Sequence, residues 1–229
     1  NLSNGSLSFA PLVTSKIIVL TVTNDLSDEP SETAILTLNN PANGVVGAIN
    51  PFTLTIDDDD AQPQVQFAQA NSTSLESDGL TEVNISLSAP SAFTVFVNYS
   101  VGGTSVQPGD HLLVGNTVTF LPGETSQTVD LTIVDDVLHE LEETVVLTLS
   151  SPTNAVLGSR VTHTKVIVDN DGPPNIDFSV AGVIQAETYG TVTVTAVLSE
   201  EAGQDVEFDF TVGGSATSGV DHTLTAGTI

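Results

Sequence analysis

The chain matches itself at a constant offset in residue number, and this repeat constrains its fold more than any other feature of the sequence. Six matched pairs share the offset, 111, which we call the repeat period: Phe67 and Phe178, Glu76 and Glu187, Tyr99 and Phe210, Asp110 and Asp221, Glu32 and Glu143, and Asp60 and Asp171. Self-similarity at a fixed period indicates tandem copies of one structural unit. The offset predicts that residues 1–60 are the second half of a unit, residues 61–171 a complete unit, and residues 172–229 a first half.

The complete unit contains short runs of alternating apolar and polar residues, which predict an antiparallel β-sandwich. In residues 126–134, Val129, Leu131 and Ile133 share one face while Asp130 and Thr132 share the other, as in a half-buried strand. The runs recur at roughly the 8–12-residue spacing typical of a sandwich. The predicted strands cover residues 64–67, 81–87, 94–101, 117–120, 126–134, 144–150 and 161–168. We therefore expect an all-β fold.

The run at 161–168 fits this pattern least well. His163 and Lys165 stand where the first part of the chain has Phe52 and Leu54. Either Lys165 reaches solvent from an edge strand through its long side chain, or the face assigned to this strand is wrong by one residue.

Composition narrows the classes of partner. The chain carries 29 Asp and Glu against 3 Lys and Arg, a formal net charge of -26, yet 39% of its residues are hydrophobic. Disorder would combine such a charge with low hydrophobicity, so we expect a folded chain with an acidic surface. This charge repels phosphate groups, which disfavours nucleic acid and anionic membrane surfaces as partners. No apolar run approaches the roughly 18 residues of a transmembrane helix, so no membrane insertion is expected.

One loop of the complete unit is crowded with acids. Five carboxylates fall close together in the sequence: Asp135, Asp136, Glu140, Glu142 and Glu143. Like charges this close repel one another, and burial adds to the cost, unless protons or a cation compensate. A hard divalent cation would do so, although an acidic loop is more often a solvated surface.

The order of motifs along the complete unit resembles one known family. The motifs are Glu76-Ser77-Asp78-Gly79, Gly102-Gly103 leading to Asp110-His111, Pro122-Gly123-Glu124, Asp135-Asp136 with Glu140 and Glu143-Thr144, Ser151-Pro152, and Asp169-Asn170-Asp171. This succession resembles the Calx-beta domain, a module of sodium/calcium exchangers, integrin β4 and large bacterial surface proteins. The resemblance also covers both half units. It implies an immunoglobulin-like sandwich of about seven strands, repeated end to end, with Ca²⁺ bound at one end.

The resemblance further implies which residues bind Ca²⁺, an ion that takes six to eight oxygen ligands. The implied ligands of the complete unit are Glu76, Asp110, Asp135, Asp136, Glu140, Glu143, Asp169, Asn170 and Asp171; those of the half units are Asp25, Glu29, Glu32, Asp58, Asp59, Asp60, Glu187 and Asp221. Asn170 departs from the usual Asp, but its amide oxygen can still ligate. Asp28 occupies the position of His139, and we expect His139 to be a loop histidine rather than a ligand.

An enzymatic function is not expected. A glycosidase pair would need two carboxyls across a cleft with aromatic sugar platforms, whereas the chain has no Trp and its acids crowd together. A Gly-x-Ser-x-Gly nucleophile motif is also lacking.

Two non-enzymatic functions remain. The chain is either a calcium-binding structural repeat of a long secreted or cell-surface adhesin or filament, or a regulatory calcium-sensor domain of an exchanger-like membrane protein. The short linkers Asp60-Ala61-Gln62-Pro63 and Asp171-Gly172-Pro173-Pro174 favour the first function, because Ca²⁺ bound there would clamp adjacent units. This function predicts an extracellular or cell-surface location.

The two half units are expected to need partners. Neither residues 1–60 nor residues 172–229 can bury an apolar face alone. We expect neighbouring copies of the same repeat to complete them head to tail, either within a longer polypeptide or by strand addition between chains. Glu187 and Asp221 would then face the next copy's equivalents of Asp25, Glu29, Glu32, Asp58 and Asp60.

Overall fold

A computed structural model describes residues 5–224 and 227–228, and in this part of the chain the regular structure is almost all β. Two short 3-10 helices cover Glu76–Asp78 and Glu187–Tyr189. None of the helices among the described residues is long and apolar enough to cross a membrane. The strands are β1 (Glu32–Leu36), β2 (Phe52–Ile56), β3 (Gln64–Phe67), β4 (Asn71–Leu75), β5 (Leu80–Leu87), β6 (Val95–Gly103), β7 (Asn116–Phe120), β8 (Ser126–Thr132), β9 (Glu143–Thr153), β10 (Val156–Leu157), β11 (Thr162–Val168), β12 (Ile176–Phe178), β13 (Ala196–Leu198), β14 (Asp209–Phe210) and β15 (Gly227–Thr228).

The middle of the chain forms an immunoglobulin-like sandwich of two sheets. One sheet has the order β10-β3-β5-β8 and the other the order β4-β11-β9-β6-β7. Most neighbours are antiparallel, but β10 runs parallel to β3 and β4 runs parallel to β11. All seven strands predicted for this unit are present, and β4 and β10 are additional. The prediction of an all-β antiparallel sandwich is therefore confirmed.

The core lies between the two sheets and is built from the inward-facing residue of every alternate position. Val129, Leu131 and Ile133 are buried, whereas Asp130 between them is exposed. Fully burying one such aliphatic or aromatic side chain contributes about 1.5–3 kcal/mol to folding. The buried apolar residues are Val65, Phe67, Val83, Ile85, Leu87, Val95, Val97, Leu113, Val118, Phe120, Val129, Leu131, Ile133, Val145, Leu147, Leu149, Ala155 and Ile167.

Strand β11 buries both of the polar residues that did not fit the sequence pattern. His163 and Lys165 are only 3% and 4% exposed, on the same face as the core residue Ile167. The assigned face was thus right. The prediction that Lys165 lies on an edge strand was wrong, because β4, which was not predicted, pairs with the other side of β11. His163 is hydrogen-bonded to Gln69 O through Nδ1 (2.9 Å) and to Ser72 Oγ through Nε2 (2.9 Å).

The flanking parts, which are the described residues of 1–60 and 172–229, reproduce the strand pairing of the sandwich. Glu32 lies opposite Ile56 in the β1–β2 pair, as Glu143 lies opposite Ile167 in the β9–β11 pair one repeat period later. The β12–β13 pair likewise has the register of the β3–β5 pair. The repeat seen in the sequence is thus a repeat of backbone pairing as well.

The flanking parts nevertheless expose the side chains that the sandwich buries. Phe67 and Phe120 are fully buried in the middle unit, whereas their counterparts Phe178 and Phe9 are 61% and 53% exposed. Where exposed apolar residues form a large patch, that patch usually marks an interaction face.

Candidate metal centre

The predicted ligands meet at one end of the sandwich because of the direction of three neighbouring strands. Since β4 and β11 are parallel, their carboxyl ends carry Glu76 and Asp169 to the same edge. Strand β9 is antiparallel to β11, so its first residue, Glu143, starts at that edge too. Residues distant in sequence are thereby brought together.

Six of the nine acids and amides predicted for the middle unit form two compact groups. Glu76, Asp169 and Asp171 each offer a carboxylate oxygen, and these oxygens lie within 4.8 Å of one another. Asp110, Glu140 and Glu143 form the second group by the same measure. One small depression is lined by members of both groups, namely Glu76, Asp110, Glu140, Glu143 and Asp169.

The other three predicted ligands lie around these groups. Asn170 accepts a hydrogen bond from Ser77 N at 3.0 Å through Oδ1, and its Nδ2 donates to Asp135 Oδ1 at 3.4 Å. Asp136 is close enough to act electrostatically on Glu76 and Asp171. Direct ligation by Asp135, Asp136 and Asn170 stays a prediction.

Backbone N–H groups hold several of the carboxylates in place. Asp136 Oδ1 accepts from Leu138 N at 2.7 Å, and Asp169 Oδ2 accepts from Glu140 N at 3.1 Å. Asp110 Oδ2 accepts from Val106 N within its own loop. These contacts hold the loops and thereby position the acids relative to one another.

His139 links the acidic loop, residues 135–143, to the acids at the end of the repeat, Asp169 and Asp171. Its Nδ1 lies 3.0 Å from Asp169 Oδ2 and 3.0 Å from the backbone oxygen of Asp171. Both partners are acceptors, so Nδ1 carries the proton and donates. The sequence predicts a loop histidine at this position, and no local motif predicts the cross-link.

Burial and mutual repulsion shift the pKa values of the acids. Burial, followed by repulsion from Asp136, Asp169, Glu140 and Asp171, raises the pKa of Glu76 to about 7. Burial likewise raises the pKa of Glu143 to about 7, helped by its hydrogen bond to Asp110. Both groups thus hold a proton part of the time near neutral pH when no cation is bound.

Asp169 behaves differently from its neighbours. Burial raises its pKa, but hydrogen bonds from the backbone N–H groups of Asp171 and Glu140 and from His139 outweigh burial, and the net pKa lies below the ordinary value. Asp169 is therefore ionised at neutral pH.

Two carboxylate oxygens of the first group have no hydrogen-bond partner among the residues that the structure describes. Glu76 Oε2 and Asp171 Oδ2 are buried and accept no hydrogen bond. Leaving such an atom unpaired costs about 1–3 kcal/mol, and more when the group is charged. A cation bound by the carboxylates of the first group would satisfy both atoms. A donor set made only of oxygens suits a hard ion such as Ca²⁺, so the residues present fit that ion.

The first part of the chain repeats this arrangement. Asp58 Oδ2 accepts from Glu29 N at 3.2 Å, and Asp25 Oδ1 accepts from Ser27 N at 2.9 Å, as Asp169 and Asp136 accept from the matching N–H groups one repeat period later. Burial, followed by repulsion from nearby acids, raises the pKa values of Glu29 and Asp60. One depression is lined by Asn24, Asp25, Glu29, Glu32, Asp57, Asp58, Asp59 and Asp60.

The predicted ligands of the third part are not clustered. Glu187 begins the second 3-10 helix, and Asp221 Oδ2 accepts from Thr217 N at 2.7 Å, as in the Asp110 loop. Among the described residues, neither acid belongs to a group of three possible ligands. Their role as ligands stays a prediction.

Comparisons with known proteins place this architecture in a family. The model of the Calx-beta domain matches residues 1–56, 58–171 and 169–229. Over 95% of this chain, "Extracellular matrix protein 3" of Lytechinus variegatus is 30% identical and "FRAS1-related extracellular matrix protein 2" of Homo sapiens is 27% identical. The chain spans 8% of the length of each of these relatives. The solved apo-form Calx CBD1 domain is 24% identical, with a TM-score of 0.46, over 48% of this chain and 100% of that one. Since the family model matches nearly every residue, the chain belongs to the Calx-beta domain family.

Proposed function

We propose that the chain is a calcium-binding structural segment of an extracellular protein, in which Ca²⁺ stiffens the joints between tandem Calx-beta repeats. The observation that carries this function is the pair of three-acid groups at one end of the sandwich, with Glu76 Oε2 and Asp171 Oδ2 buried and unpaired. Membership of the Calx-beta family and the names of the relatives support it.

The position of the acids relative to the linker supports a role in the joint. Asp169 and Asp171 end one repeat, and Pro173-Pro174 follows at once before β12 begins at Ile176. An ion held by Asp169 and Asp171 would restrain the first residues of the linker, and the two prolines limit its remaining freedom. The stiffness of the joint would then depend on Ca²⁺.

The partners proposed for this chain are neighbouring copies of the same repeat, arranged head to tail. Several apolar residues exposed in the flanking parts, among them Phe9, Ile18 and Phe178, are the counterparts of residues that form the core of the middle unit. Another copy of the repeat would supply the strands that cover them. Relatives named as extracellular matrix proteins favour such an array over a sensor domain of a transporter, and over an enzyme.

Thermal unfolding of the whole chain tests the function. Ca²⁺ at ~100-fold above its Kd should stabilise the folded state by roughly 2.7 kcal/mol per independent site, and a chelator should reverse the effect. The control is Mg²⁺ at equal ionic strength, because screening alone will stabilise a chain with a net charge of -26. A melting temperature that does not respond to millimolar Ca²⁺ beyond the Mg²⁺ control would sink the proposal.

A further inference from the structure

The two junctions between repeats are built from the same backbone contact. Ala92 N donates to Asp28 O at 2.9 Å at the first junction, and Gly203 N donates to His139 O at 3.2 Å at the second. The two donors are one repeat period apart, and so are the two acceptors. Each junction also has a parallel β-bridge one residue earlier, at Ser91 and Ala202. At both junctions, therefore, a repeat contacts the preceding repeat through the same pair of segments.

This contact does not depend on the side chains. The acceptor is Asp28 at the first junction and His139 at the second, and the donor is Ala92 at the first and Gly203 at the second. The same backbone hydrogen bond forms at both junctions although the side chains differ. At the first junction a side chain adds to it, because Ser91 Oγ donates to Asp28 O at 3.3 Å. A contact made by N–H and C=O groups allows the sequence to vary while the register of the repeats stays fixed.

At the second junction the contact reaches the metal centre. The acceptor residue His139 is bonded to Asp169 through Nδ1. A Cβ at position 203 would overlap the carboxylate of Glu140. The following repeat therefore lies directly against one of the predicted ligands, and the absence of a side chain at Gly203 leaves Glu140 its room.

We propose that residues 88–94, and their counterparts 199–205, form a docking turn with which each repeat seats on the acidic loop of the repeat before it. The partner of each acidic loop is thus the next copy of the same repeat. Through Gly203, the docking turn also positions Glu140 and so sets the cation affinity of the preceding site. The docking contact stands without metal, whereas the effect on affinity rests on the proposed function.

Distance measurements in the absence of metal test the docking contact. The chain has no Cys, so Glu82→Cys and Asp177→Cys, both at exposed positions, allow spin labels on the middle unit and on the third part. In EDTA, Gly203→Pro removes the N–H donor and should broaden the distribution of distances between the labels. The matched control is Gly182→Pro in the same part of the chain. Equal widths for both variants would overturn the docking turn.

Luminescence of bound Tb³⁺ tests the effect on the metal site. The chain has no Trp, so Leu141→Trp, at the rim of the depression, sensitises Tb³⁺ bound to the middle unit. In this background Gly203→Val should weaken Tb³⁺ binding about tenfold, within the usual range for coupled sites. Gly182→Val is the control, because no atom lies within 4 Å of a Cβ there.

The two experiments separate the possible failures. Equal Tb³⁺ affinities for Gly203→Val and Gly182→Val would refute the coupling, while the proposed calcium function would stand. If the Leu141→Trp chain binds no Tb³⁺, the calcium function fails, and the label distances in EDTA still decide whether the docking turn exists. Circular dichroism of each variant checks that the sandwich is folded.

Discussion

Glu143 and Glu142 are adjacent acids that face different surroundings, and they allow a sharp test of the ligand assignment. Glu143 is the first residue of β9 and belongs to the Asp110 group, whereas Glu142 is exposed. Only Glu143 is directed at the site, since Glu142 precedes the first residue of β9 and is exposed to solvent. Removing one charged contact costs about 1.5–3 kcal/mol, so Glu143→Gln should weaken Ca²⁺ binding at least tenfold.

Isothermal titration calorimetry of both variants measures this difference. Glu142→Gln serves as the control, since it removes the same charge from the same loop, and its Kd should change by less than about twofold. Similar losses for the two variants would show that the face assigned to this part of the loop is wrong.

The raised pKa values of Glu76 and Glu143 predict how metal-free stability depends on pH. Both carboxyls have a pKa of about 7 in the folded chain, against an ordinary value of 4.5. The folded state therefore binds protons that the unfolded state releases. Their contribution is fully present below pH 4.5 and is lost as the pH rises through about 7.

Urea unfolding in EDTA should accordingly show higher stability near pH 5.5 than near pH 8 from these two groups. Glu76→Gln should flatten the dependence, because the variant side chain does not titrate. Ca²⁺ affinity should rise over the same interval, since the ion displaces the protons. Metal-free stability that increases steadily from pH 5.5 to pH 8 would contradict the assignment.

At the scale of the elements, β11 carries an unfavourable residue in the core. Lys165 is buried on a strand with neighbours on both sides, and burial lowers its pKa, although Asp78 opposes this. The first part of the chain has Leu54 at the equivalent position of β2. Lys165→Leu should therefore stabilise the folded chain, by about 1–2 kcal/mol, because burying a polar group costs about that much.

Urea unfolding at neutral pH measures the effect of Lys165→Leu on the free energy of unfolding. Lys16→Leu is the matched control, since Lys16 is exposed and surface substitutions usually change stability by less than about 0.5 kcal/mol. A destabilised Lys165→Leu variant would mean that the ammonium group makes a favourable contact that outweighs its burial.

The strands show which parts of this fold a sequence can reveal. Those with strict alternation, such as β8 with Val129 and Leu131, were predicted because one face is apolar. Strand β4 was missed because Asn71–Leu75 is mostly polar and is held by parallel pairing with a distant strand. Missing β4 in turn produced the wrong edge position for Lys165. Local patterns report burial, but they do not report which strands lie side by side.

In the metal centre and in the joint between repeats, too, local sequence patterns predict some features but not those that depend on which strands and repeats lie side by side. The resemblance of the sequence motifs to the Calx-beta domain predicts the acids of the site, but their division into two groups depends on β4, β9 and β11 meeting at one edge. The docking turn had no signal in its side chains, because Asp28 and His139 share no chemistry that predicts the contact. In the sequence, only the constant repeat period relates the two junctions. The backbone hydrogen bonds show that residues one period apart make the same contact.

At the scale of the whole molecule, charge is concentrated where the repeats join. The acids that line the depression of the first part lie at one junction, and the two three-acid groups of the middle unit lie at the next, within a chain whose net charge is -26. Repulsion between such groups opposes the compact state and is reduced by either of two means. Monovalent salt screens all the charges weakly, whereas a bound divalent ion neutralises the few that are closest together.

The stability of the chain should therefore depend on salt in a way that Ca²⁺ suppresses. In EDTA, raising NaCl from about 0.05 M to about 0.5 M shortens the Debye length severalfold and should raise the melting temperature steadily. In saturating Ca²⁺ the same change should have a smaller effect, because bound Ca²⁺ would already neutralise the acids that line the depressions of the first part and of the middle unit. KCl should reproduce the NaCl result, which would exclude specific binding of Na⁺. Equal slopes of melting temperature against salt with and without Ca²⁺ would show that the clustered acids are not where the repulsion is relieved.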